Sequence, residues 1–326
     1  MISLLTTLTA ALFAALLFNQ YQFRRAPYQL AWAIGATAFA VAAAAETLAG
    51  FIGWSEPLYR VWYLTGAVWT AGWLGTGTVL LLSKTRFGYW YSACLGLAGL
   101  FTILVARRLE DPAAGPTALF YALLAWSAAV SIAWLAYLGS ARWGRIAVGL
   151  VLLLSAVALP LVATAQLPAP GWATDPQTGA PIALLLPPAL RLLTPLLNIS
   201  GAFALLTGAL FSAYVFMPKV RALPYSSDPR QRGDELLFNL AIAPFALNRR
   251  VPATLLIALG AFFPSLTDTL SRTGSTEVYE LGKALGALLL LIGFLASVDD
   301  PDEITLPLVG APLRASLRRV RGEEGA

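Results

Sequence analysis

Glu46 is the residue of this chain whose surroundings most demand a chemical explanation. It stands in the run Ala40-Val41-Ala42-Ala43-Ala44-Ala45-Glu46-Thr47, inside an apolar stretch long enough to cross a bilayer. A carboxylate at such a place costs several kcal/mol unless it is paired or wetted. The alanines around it let a second helix approach closely, which directs Glu46 toward protein rather than lipid. Two kinds of role follow. One is a proton or cation site, or one wall of a ligand pocket. The other is a neutral carboxyl bonded to a neighbouring helix, or a residue that water reaches from outside.

Other charged groups fall near the same membrane level. Asp268 comes at the end of one apolar segment, Glu280 and Lys283 at the start of the next, and Arg60 and Arg191 at the starts of two others. The sequence thus predicts an outward-facing polar pocket in which Glu46 or Asp268 pairs with Lys283 or Arg191. The competing expectation is that these helix-end charges simply reach into the headgroups.

Three further patterns bear on function. Trp62, Trp69 and Trp73 have helical spacing and could line a pocket for an apolar or cationic ligand, although such a stripe also serves as packing or as a lipid-facing anchor. Thr194-Pro195 with Asn198 and Ser200 places polar groups around a proline, the pattern of a broken helix that holds an ion. Its plainer counterpart is a kink whose freed carbonyls are satisfied by Ser and Thr hydroxyls. Gly72, Gly75 and the GxxxG pair Gly282 and Gly286 thin their helices for close packing, within the fold or between subunits.

The elements that hold these residues are legible from composition. Of 326 residues 58% are hydrophobic and only 12% charged, and the mean hydropathy is +0.70. A soluble domain carries about 25% charged residues to wet its surface, so lipid is the remaining solvent. A spanning helix needs about 20 mainly apolar residues. That ruler predicts an all-α, polytopic membrane helix bundle with nine spans, near 2–19, 29–53, 61–82, 90–106, 117–139, 146–165, 191–217, 252–270 and 279–297. Residues 1–298 read as a single transmembrane domain and 299–326 as a short cytoplasmic tail. Segment 2–19 has its Arg24 and Arg25 after the apolar run rather than before it, the reverse of a cleaved signal peptide.

Lys and Arg accumulate in cytoplasmic connections. With the N-terminus outside and the C-terminus in the cytoplasm, 16 of the 22 basic residues lie on the inner side, and every inner loop has at least two. The outer connection 166–190 holds six prolines and reads as an extended loop. In the inner connection 218–251, the short apolar run Leu236–Phe245 reads as an interfacial or re-entrant piece.

Composition also limits the chemistry. There is no His and one Cys, Cys94, so Ser–His and Cys–His catalysis are excluded. Haem, chlorophyll, zinc and iron–sulfur groups draw on His and clustered Cys, and side chains of this chain are not expected to ligate them. No other cofactor is indicated. The expected partners are the bilayer, with anionic lipids at the basic inner face, and other membrane subunits. A net charge of +5 on a membrane domain is no case for nucleic acid.

Residues 31–86 resemble the N-terminal seven-helix sensor regions of bacterial histidine kinases. The resemblance is carried by the Ala-rich helix with Glu46, a short turn, and Leu58-Tyr59-Arg60-Val61-Trp62-Tyr63-Leu64-Thr65-Gly66-Ala67. It implies an outward-facing sensor of a small molecule or lipid, without an output domain of its own, in a bacterial inner or plasma membrane. The resulting expectation is a non-enzymatic, receptor-like membrane protein or complex subunit. A transporter or channel using Glu46 and a broken seventh helix is the alternative, and an intramembrane enzyme of lipid metabolism ranks third.

Overall fold

The structure, a computed structural model, describes residues 2–109, 111–176, 178–216, 250–272, 278–298, 300–307 and 309–321, with the backbone alone at 216, 265–272 and 319–321. The fold is an all-α helical bundle. Its rods are α1 (Ile2–Arg24), α2 (Pro27–Ile52), α3 (Glu56–Trp62), a π-helical segment (Tyr63–Thr70), α4 (Ala71–Leu82), α5 (Gly88–Ala106) and α6 (Ala114–Tyr137). They continue with α7 (Trp143–Thr164), α8 (Pro188–Phe216), α9 (Arg250–Arg272), α10 (Tyr279–Ser297) and a tail helix α11 (Gly310–Arg321). Each rod from α1 to α10 overlies one of the predicted spans, with α3, the π segment and α4 forming one continuous rod. Among the described residues seven helices are long and apolar enough to cross a membrane. The third rod is divided by its π segment, and the apolar part of α9 is Arg250–Pro264. The 234–248 stretch, including the predicted interfacial run, lies outside the described residues.

Neighbour-to-neighbour packing runs α1–α2–α4–α8–α9–α10 and returns from α10 to α1, closing a ring; α5, α6 and α7 pack against α8 from outside it, and α7 also against α4. In lipid there is little hydrophobic drive between helices, so close backbone approach through small residues does the work. Gly75 of α4 and Gly201 of α8 meet backbone to backbone: a Cβ on Gly201 would lie 2.1 Å from the Ala71 carbonyl oxygen. Gly72 lies against Leu197. On α10, Gly286 faces Pro264 and the Gly260 carbonyl of α9, and Gly293 faces Ala253 and Ile257 of the same helix. The Gly286 half of the GxxxG pair therefore packs within the fold, and Gly282 is buried one turn above it. Exposed Leu97, Leu100, Leu104, Leu119 and Leu123 leave a continuous apolar exterior on α5 and α6, as lipid contact requires.

The ring interior is layered. Phe13, Leu16 and Leu17 of α1 pack with Leu74, Leu205, Leu290 and Phe294 in one apolar layer. Ala10, Phe39 and Ala287 form the next. The layer beyond holds Glu46 and Lys283.

Two corrections concern helix continuity. The seventh rod, α8, is not broken: it runs unbroken from Pro188 to Phe216 through Pro195. Hydroxyls serve the carbonyls around the proline. Thr194 Oγ1 donates to the Leu190 carbonyl at 2.9 Å and Thr102 Oγ1 to Leu192 at 3.5 Å, while Ser200 bonds the Leu196 carbonyl. The irregular helix is the third rod instead. Its π segment is marked by Thr70 Oγ1 donating to the carbonyl five residues back, Thr65, at 2.8 Å. π turns take up one residue more than α turns and occur often at functional sites.

The proline-rich connection folds back over the helix ends. The Tyr59 hydroxyl donates to the Ile182 carbonyl, Leu186 is buried, and Gly171, at φ +88°, lies against Glu56. The tail is also more than a trailing segment. Asn19 of α1 donates to Thr305 Oγ1 at 2.8 Å and accepts from its amide at 3.1 Å. Arg24 pairs with Glu303, and Leu313 and Leu317 of α11 pack on the ring's apolar layer. Four arginines in twelve residues hid this amphipathic helix from a ruler designed for long apolar spans.

Candidate functional site

The site begins with the alanine face of α2. Ala42 and Ala49 lie one turn to either side of Glu46 and are buried with it. Gly66 of the π segment approaches within contact of the Ala42 methyl, because neither position has bulk to keep the rods apart. That approach brings Trp62, the last residue of α3, to Glu46: its indole Nε1–H donates to Oε1 at 2.8 Å. Thr7 of α1 meets Thr47 at 3.0 Å and ties the third wall to α2.

Lys283 enters from α10, one turn inside the helix, and its ammonium donates to Glu46 Oε2. The same ammonium donates to Glu280 Oε1 at 2.9 Å and lies 4.2 Å from the centre of the Tyr279 ring. Each partner has a reason to be there. Glu280 and Tyr279 precede Lys283 by three and four residues, so they share its helix face. Glu46 and Lys283 are both under 10% exposed, at 9% and 7%, so this is a buried ion pair and not a headgroup contact.

The cluster has one acceptor that no described residue satisfies. Two carboxylates face one ammonium, and Glu280 Oε2 is buried with no hydrogen-bond partner among the described residues. A carboxylate oxygen out of water and without a donor costs the desolvation of that group. The chemistry that completes it is a proton, a small cation, or a donor group on a cationic ligand. Among the described residues no three His, Cys, Asp or Glu side chains converge as a metal site.

The other predicted residues divide. Glu46, Trp62, Glu280 and Lys283 come together. Arg60 does not join them: it pairs with Glu56 and donates to the Val162 and Ala165 carbonyls at the end of α7. Those carbonyls are the orphan acceptors of a helix C-terminus, and a guanidinium there meets both their hydrogen bonds and the helix dipole. Arg191 begins α8 within electrostatic reach of Tyr59 and makes no ion pair with Glu46. Asp268 belongs to α9, with its side chain outside the described residues. Asn198 is half-buried on α8.

Trp69 and Trp73 are half-buried against the larger apolar cluster, which includes Trp62, Tyr63, Tyr91 and Trp143. The π segment starts directly after Trp62 and contains Trp69, so the α spacing that suggested one stripe is not kept. Only Trp62 of the three reaches Glu46. Sequence reasoning missed Tyr279, whose four-residue offset from Lys283 was a usable signal; Tyr63, beside Trp62 in the aromatic stretch, meets Thr194 of α8 through its hydroxyl. In comparison with known proteins, no family model, no curated protein and no solved structure matches this chain.

Proposed function

We propose that this integral membrane protein is receptor-like and non-enzymatic, and that its sensing element is the buried Glu46–Lys283 pair with half-buried Glu280, open to a cation or cationic ligand group from the side on which the N-terminus lies. The observation that carries this reading is the buried Glu280 Oε2, without a partner among the described residues, in a cluster with two carboxylates to one ammonium. Ionisable groups inside a membrane bundle mark sites of function by default, since they are costly to retain otherwise. The placement of basic residues supports an outside N-terminus, in a bacterial inner or plasma membrane, and the resemblance of residues 31–86 to kinase sensor regions supports an outward-facing sensor.

The cluster joins α2 to α10, and the ring closes through α1 between them. A ligand that changes the charge balance there acts on the contact between two rods, the kind of bistable element a receptor requires. The apolar layers of Leu16, Leu17, Leu290 and Phe294 lie below the cluster along the ring axis. They favour a sensor over an open conduction path.

A transporter is the second reading, favoured by the same buried charges. Reconstitution into liposomes separates the two. The receptor reading expects no Na⁺, K⁺ or H⁺ flux above that of protein-free vesicles. Flux that is lost in Glu46→Gln overturns it in favour of transport.

A further inference from the structure

A polar cavity lies at the end of the bundle opposite the Glu46 cluster, and we infer that it binds the phosphate headgroup of an anionic membrane lipid. The cavity, of about 450 Å³, is formed where the α4–α5 and α6–α7 connections meet, and Ser83, Lys84, Thr85, Arg86, Ser140 and Trp143 line it. That volume falls in the range of small-molecule sites, about 300–1,000 Å³.

The floor is built by two glycines. Gly88 lets Trp143 and Ala136 close in, and Gly144 does the same against Ser83. Trp143 is consequently 1% exposed and fixed in place.

Charge decides the ligand class. Lys84 and Arg86 are exposed, no carboxylate lines the cavity, and neither cation has an ion-pair partner among the described residues. Helix dipoles do not decide it. The starts of α5 and α7 and the ends of α4 and α6 all meet here, and their partial charges oppose one another.

The hydroxyls narrow the donor set. Ser83 donates to the Leu80 carbonyl and Thr85 to Leu82. Among the described residues Ser140 Oγ only accepts, from the Arg142 amide at 3.3 Å, which leaves its proton for a ligand oxygen. Two cations and one hydroxyl donor suit a phosphate.

The rim decides the source. Tyr89 and Tyr137 line the mouth and are exposed. Trp90 and Trp134 stand exposed beside them, with Trp134 stacked on Tyr137 at 5.8 Å. Tyr and Trp at helix ends are the residues of the bilayer interface. Below the rim, the exposed leucines of α5 and α6 offer a track for acyl chains. Basic pockets between spanning helices take anionic headgroups in this way.

Native mass spectrometry of the full chain provides the test. Protein is exchanged into phosphatidylglycerol, into phosphatidylcholine, and into phosphatidylglycerol with excess inorganic phosphate. The expected result is one phosphatidylglycerol retained per chain, phosphatidylcholine not retained, and no displacement by phosphate. K84Q/R86Q should weaken retention about tenfold or more, and Ser140→Ala should weaken it less. R107Q/R108Q, an equal loss of charge at the other end of the bundle, should leave it unchanged. Melting midpoints confirm that each variant is folded. Equal retention by K84Q/R86Q, equal retention of phosphatidylcholine, or displacement by inorganic phosphate would each overturn the assignment. The last would identify a soluble phosphate site.

Discussion

Removing Lys283 should destabilise this protein far more than removing Glu46, and the asymmetry follows from counting charges in one buried cluster. Lys283→Met leaves Glu46 and Glu280 facing each other without the ammonium that both now contact. Taking one partner from a buried pair costs about 3–5 kcal/mol, because the remaining charge is uncompensated. Here two charges are left, so the upper part of that range applies. Glu46→Gln is different. Lys283 keeps Glu280 at 2.9 Å, and the glutamine carbonyl can still accept from Trp62. The loss is one charge-assisted bond, about 1.5–3 kcal/mol. Glu280→Gln leaves the buried Glu46–Lys283 pair intact and should cost least, about 1 kcal/mol or below, because the Glu280 side chain is 34% exposed. The assay is reversible unfolding in mixed micelles by graded SDS, followed by the fluorescence of the ten tryptophans. Pairwise combinations give the coupling energies. Equal costs for Lys283→Met and Glu46→Gln, or no coupling between positions 46 and 283, would refute the reasoning.

Three other outcomes follow from the packing. Gly201→Ala should cost about 1–3 kcal/mol in the same unfolding assay, since its methyl would strike the Ala71 carbonyl, whereas Gly96→Ala, with open space around it, should be neutral or slightly stabilising. Tyr59→Phe removes the bond to the Ile182 carbonyl, a net loss of about 1 kcal/mol, and should raise amide exchange in residues 165–187 while sparing α7. Asn19→Ala removes both bonds to Thr305 and should increase the mobility of a spin label on α11, whereas Arg318→Gln, which breaks only an exposed pair with Asp302, should have little effect.

Much of the fold was legible because a membrane imposes a strict rule: about 20 apolar residues must recur for every crossing. The predicted limits lie within five residues of the observed helices throughout, from 2–19 against Ile2–Arg24 to 279–297 against Tyr279–Ser297. What that rule cannot see is how a helix winds. Tyr63–Thr70 is as apolar as a spanning α segment needs to be, and its π form is accompanied by the Thr65–Thr70 bond and by contact with α2. At the proline in α8 the plainer of the two expectations holds, because hydroxyls from α5 and from α8 itself serve its carbonyls without a break.

At the site, residue types were readable and directions were not. Glu46 and Lys283 stood out as charges within apolar segments, and their level in the membrane was set by counting residues. Whether Lys283 or Arg191 faced Glu46 depended on rotation of the rods. Arg60 turns to the exposed carbonyls of α7, a partner created only when the chain folds. The tail helix shows the same limit, since its amphipathic face has meaning only once α1 and α10 offer a surface for Leu313 and Leu317.

The measurement that bears most directly on the sensing cluster is a melting experiment on purified protein in lipid nanodiscs, titrated with Na⁺, K⁺ and a set of small organic ammonium ions. A ligand bound only to the folded state raises the midpoint with its concentration. The account predicts that at least one of these cations raises the midpoint of the wild type and that the rise is lost in Glu280→Gln, although that variant remains folded. If every cation acts equally on wild type and Glu280→Gln, the buried oxygen of Glu280 does not receive a ligand, and the proposed sensing site is wrong.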